Sequence, residues 1–65
     1  MKVGDVVQFR YKGNRFVKGD VVFVDNKLVM LTLQTDYIGK NDESYIGELK
    51  YFNKKEIKKL LVLEC

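Results

Sequence analysis

The residues best equipped for chemistry in this 65-residue sequence are cations interleaved with aromatics near its start, Phe9-Arg10-Tyr11-Lys12 followed by Asn14 and Arg15. Aromatic faces stack on unpaired bases while neighbouring cations hold phosphates, so this spacing suits single-stranded nucleic acid, with Arg10, Tyr11, Lys12 and Arg15 as contacts. Lys54, Lys55, Lys58 and Lys59 extend the same surface if the two ends of the chain lie side by side. Charge is segregated accordingly. Residues 1–18 carry a net of +4, residues 19–49 a net of −4 and residues 50–59 a net of +4, within a total of +3. Two basic segments brought together make the electrostatic footprint of a phosphate binder. The plainer reading gives Phe9 to the core, leaves Arg10, Lys12 and Arg15 exposed with Tyr11 in either place, and makes the lysines a solvated face.

Catalytic chemistry is largely closed to this composition. Histidine, tryptophan and proline are absent, Ser44 is the one serine and Cys65 the one cysteine. No Ser-His or Cys-His arrangement and no thiol or imidazole zinc site can be assembled within one chain. Asp42-Glu43 reads as a pair of solvated loop carboxylates, and glycine-rich phosphate loops are missing. The expectation is therefore no enzyme, no metal and no cofactor, with Cys65 a free thiol. No run approaches the ~20 apolar residues of a membrane span, and Asp5 interrupts any signal-peptide core, which points to a cytoplasmic protein without membrane contact. Tyr37-Ile38-Gly39 and Tyr45-Ile46-Gly47 repeat a tripeptide eight residues apart around an acidic loop. Tyr37 and Tyr45 there would either clamp a peptide or nucleotide or pack across a hairpin.

Positioning these side chains falls to a β-rich single domain spanning residues 1–65. Val7, Phe9 and Tyr11 alternate with Val6, Gln8 and Arg10, the period-two pattern of a half-buried strand over Asp5 to Tyr11. Lys12-Gly13-Asn14-Arg15 turns into a second strand, Phe16 to Val24, whose Gly19 marks a bend where another backbone comes close. Asp25-Asn26-Lys27 is a tight turn, and Leu28 to Thr35 a third strand with Val29, Leu31 and Leu33 on one face. Its other face, Leu28, Met30 and Thr32, is also rather apolar, so the strand is central or covered by another protomer. Asp36 to Glu43 is the longest loop, and Ser44 to Phe52 the fourth strand. Asn53 stands three residues before Glu56 as a cap for a short helical turn. The tail then fits either a longer helix or a 3₁₀ turn and a fifth strand, the second being preferred. Together these elements predict an all-β fold, a small five-stranded, strongly bent barrel that would remove its own sheet edges. So small a core, with no disulfide or metal, favours a homo-oligomer.

The run Gly19-Asp20-Val21-Val22-Phe23-Val24-Asp25-Asn26-Lys27-Leu28 resembles the first motif of Sm and LSm proteins, in which a strand glycine precedes an apolar-alternating segment and a turn aspartate. Tyr51 to Leu63 is similar to the close of divergent LSm domains, where a short helical turn carries an isoleucine into the last strand. The resemblance implies an SH3-like bent barrel, rings joined through the fourth and fifth strands, and single-stranded, uridine-rich RNA as ligand. It departs at the ligand pocket. The family's base-reading asparagine corresponds to Val29, its neighbouring bulky residue to Leu28, and its arginine-glycine pair to Asn53-Lys54. The family's N-terminal helix is also missing, a start that looks more like Tudor, KOW or other SH3-like barrels. The expected function is a noncatalytic module that binds single-stranded nucleic acid, RNA foremost. The alternatives are a protein-interaction module or small inhibitor, encoded for instance by a phage or mobile element, and an oligomer sequestering a small nucleotide between protomers.

Overall fold

The computed structural model describes residues 1–12, 15–35 and 46–64. Five strands form one antiparallel sheet: β1 (Val6–Tyr11), β2 (Arg15–Val24), β3 (Leu28–Leu33), β4 (Leu49–Asn53) and β5 (Ile57–Glu64). A single 3₁₀ turn, η1 (Lys54–Glu56), precedes β5. The spatial order is β4-β3-β2-β1-β5, so the first and last strands are neighbours, with Tyr11 opposite Ile57 and Arg10 opposite Lys58. The predicted all-β architecture, with a short helical turn before the last strand, is the one observed.

Alternation sets the core. Val7, Phe9 and Tyr11 of β1, Val17 and Val21 of β2, Val29, Leu31 and Leu33 of β3 and Phe52 of β4 are all buried on one concave face. Phe9, Tyr11 and Phe52 meet edge-on, with centroids 4.9 to 6.3 Å apart, the offset geometry that aromatic quadrupoles favour.

Gly19 explains how ten residues of β2 can serve a small curled sheet. A Cβ there would lie 2.5 Å from the Thr32 carbonyl oxygen, so only glycine lets β3 come this close. The expected bend thus has a definite cause. A register shift between Val21 and Phe23, with Val22 as the extra residue, turns the strand further. At the far end of β2, Asp25 Oδ1 accepts hydrogen bonds from the Lys27 and Leu28 amides at 2.8 and 2.7 Å, closing the predicted turn.

Two expectations need correction. The third strand ends at Leu33 rather than Thr35, and the fourth begins at Leu49 rather than Ser44. Gly47, at φ +88°, donates its amide to the Leu33 carbonyl at 2.8 Å, while Leu33 donates to the Glu48 carbonyl at 3.0 Å. That turn uses the bonds a longer ladder would need. The sheet also curls strongly without closing: among the described residues β4 and β5 end the strand order, and both remain edges. Lys50 helps to explain this, because it lies opposite buried Leu31 and so shares the core-side face of the edge strand. An inward-pointing charge there disfavours another strand alongside. Gly13, Asn14, Asp42, Glu43, Tyr37, Tyr45 and Cys65, together with the Asp36–Glu43 loop, lie outside the described residues.

Candidate nucleic-acid interface

Because Phe9 and Tyr11 face the core, Arg10 between them must face outward. The ladder then fixes its neighbours. Phe16 of β2 lies opposite on one side and Lys58 of β5 on the other, and cross-strand partners share a face. The result is an outer row Lys58, Arg10, Phe16 spanning three strands. The Arg10 guanidinium carbon sits 5.0 Å from the Phe16 ring centroid, within cation–π range, and Phe16 is 36% exposed. Lys18, opposite Gln8, adds a cation diagonally across from Arg10.

The remaining predicted contacts gather around the same end of the β1–β5 pair. Lys12 is exposed, with its Nζ 5.7 Å from the Tyr11 ring centroid. Arg15, expected to be exposed, is instead half-buried opposite Tyr11 and so shares its core-side face rather than the face of the Arg10 row. Lys54 and Lys55 lie in η1, where the Asn53 side chain accepts from the Lys55 amide at 3.0 Å and Glu56 places one acid beside them. Lys54, with Met1, Ile57 and Leu60, lines a shallow cavity of 340 Å³. Lys59 is exposed in an irregular stretch of β5 with φ +56°, a left-handed position.

Of the two places the sequence leaves open to Tyr11, core or surface, it takes the core. It is 7% exposed, and its hydroxyl accepts a hydrogen bond from the Asn53 amide at 3.1 Å. Its ring is therefore core, and no base can stack on it. Instead it ties the end of β1 to the start of η1, positioning the Lys54-Lys55 pair relative to Arg10 and Lys12. The aromatic that sequence reasoning missed is Phe16. Its signal was present in strand parity: a hairpin pairing Tyr11 with Arg15 puts Arg10 against Phe16.

A clear titration shift lies away from this row, at the Asp25 turn. The Leu28 and Lys27 amides hold the Asp25 carboxyl below the usual aspartate range, helped by the positive charges of Lys54 and Lys27 and opposed by desolvation. Among the described residues no group of three or more His, Cys, Asp or Glu side chains could hold a metal, and no helix is long and apolar enough to cross a membrane.

A second exposed row lies on the same outer face, over β2, β3 and β4. Phe23 of β2, Met30 of β3 and Tyr51 of β4 are successive cross-strand partners, with Phe23 and Tyr51 46% and 62% exposed. Compared with protein-family models, curated proteins and solved structures, the chain matches none.

Proposed function

We propose that this chain is a noncatalytic binding module that holds single-stranded nucleic acid, RNA foremost, on the outer face of β5, β1 and β2. The row Lys58, Arg10, Phe16 carries the reading, because it sets one accessible aromatic ring beside two cations at strand spacing. A base stacks on Phe16 while Arg10, Lys58 and Lys18 take phosphates, and Lys12, Arg15, Lys54, Lys55 and Lys59 extend the positive field. Tyr11 contributes by position alone. The reading includes a divergent Sm-like or SH3-like descent, self-association and a cytoplasmic setting. Strand order, the η1 turn before β5 and the close approach at Gly19 are compatible with that descent.

The test is titration of labelled oligo-uridine, a mixed single strand and a duplex at two salt concentrations. Three or four phosphate contacts give a log–log salt slope of about 2–3 on single strands. Phe16→Ala should weaken binding by about 1–3 kcal/mol, the usual value of one base stack. Arg10→Ala should weaken it and flatten the slope. Absence of binding to every strand at low salt sinks the proposal.

A second reading is favoured by the Phe23, Met30, Tyr51 row. Exposed aromatics and methionine are enriched where proteins meet, so a protein-interaction module would use the outer face over β2, β3 and β4, and its affinity would respond little to salt.

A further inference from the structure

β5 is the least consumed part of the fold. Leu60, Leu61, Val62 and Leu63 are 43%, 51%, 43% and 38% exposed, and among the described residues β1 is the only strand beside them. An apolar edge strand of eight residues is a template for another strand. The other edge is guarded: β4 has five residues, and its core-side Lys50 is ion-paired to Glu48 at 3.4 Å.

The register of β5 supplies a reason for one occupant. Lys58, Leu61 and Glu64 lie opposite Arg10, Gln8 and Val6, so all three face outward and are separated by equal two-residue steps of β1. On β5 itself each interval holds three steps, because each contains one extra residue at a register shift. The strand is therefore symmetric in spacing about Leu61, with a cation at one end and an anion at the other. Rotating a copy by a half-turn about Leu61 superposes the spacing and brings opposite charges together. A parallel arrangement would instead place Lys58 beside lysine and Glu64 beside glutamate, which is repulsive.

We infer that two copies of this chain pair β5 against β5, antiparallel about a two-fold axis through Leu61, with Lys58 facing Glu64 of the partner subunit and Glu64 facing Lys58 of the partner subunit. Leu60 then meets Val62 of the partner subunit, and the two Leu61 side chains cover one another. Such an isologous contact closes at two subunits and leaves no strand edge of β5 to propagate. The inference rests on the self-association within the proposed function and names the surface that produces it.

Sedimentation equilibrium of the full chain over a range of concentrations tests it, with circular dichroism to verify folding. The wild type should reach twice its 7.6 kDa mass. Lys58→Glu and Glu64→Lys should each raise the dimer dissociation constant roughly tenfold at low salt, since each change turns both symmetry-related pairs from attractive to repulsive. The double variant K58E/E64K should recover wild-type association, and an equimolar mixture of the two single variants should form a heterodimer. Leu61→Arg, checked for native circular dichroism, should be monomeric. A monomer at all concentrations, a ring-sized mass, association insensitive to either single reversal, or a folded double variant that fails to recover would each overturn the inference. Nucleic-acid titration of the wild type beside its sedimentation separates this inference from the binding reading. Binding by a wild type that stays monomeric removes the dimer alone, and a dimer that binds no strand removes the binding reading alone.

Discussion

β1 and β5 run side by side and are both rich in apolar residues, yet they use them in opposite ways. In β1 every second side chain disappears into the core, and the intervening ones carry Arg10 and Gln8 to the surface. In β5 only Ile57 is even partly covered, and the following four apolar residues stay exposed. Apolar content alone therefore does not decide what a strand is for. A strand with neighbours on both sides and a concave face behind it builds the core, whereas an edge strand with a neighbour on one side only leaves its apolar residues for something outside the chain.

The sharpest way to break this contrast is truncation on either side of it. Phe52→Ala removes one of three rings that meet edge-on and should destabilise the fold by about 3–5 kcal/mol in urea denaturation. Leu61→Ala, measured at concentrations too low for association, should cost well under ~1 kcal/mol, in the range of ordinary surface substitutions. Equal losses would mean that β5 belongs to the core after all. Next in size is Gly19→Ala. Its new methyl group would press on the Thr32 carbonyl oxygen, and a loss of about 1–3 kcal/mol is expected.

Tyr11→Phe probes the join between the two strands. It deprives the Asn53 amide of its acceptor and should cost about 1 kcal/mol of stability. Nucleic-acid affinity should change far less than with Phe16→Ala, because the Tyr11 ring is shut inside the core. A larger loss of binding from Tyr11→Phe would return Tyr11 to the interface. The smallest effect belongs to Asp25. Its carboxyl has a lowered folded value, so its contribution to stability is present above the ordinary aspartate value of about 3.9 and is lost as pH falls through the lower folded one. Asp25→Asn should flatten the acid limb of a stability-against-pH profile, and an unchanged limb would show that the turn gains nothing from the charge.

Much of the fold was legible because its signals are local. Period-two alternation located β1 and the core side of β3, the Asp25 turn announced itself by residue type, and Gly19 marked the bend that Thr32 enforces. The start of β4 was not legible, since Ile46-Gly47-Glu48 reads as strand by composition, while the amide and carbonyl of Leu33 hold it as a turn. The places of Tyr11 and Phe16 were not legible for a related reason. Both are aromatics next to cations, and only pairing across the hairpin decides which faces outward. The failure of the sheet to close was hidden as well, because it depends on which side of an edge strand Lys50 occupies.

The hydrogen bond from Asn53 to the Tyr11 hydroxyl couples two properties that usually drift separately. Since Arg10 and Tyr11 are adjacent on one strand, slipping β1 by a single position would sink a guanidinium into the oily interior and expel the phenol. The outward cations are thereby locked to the packing of the rings beneath them. Selection for a new ligand must work through replacement of individual outward residues, because sliding the strand would cost the protein its centre.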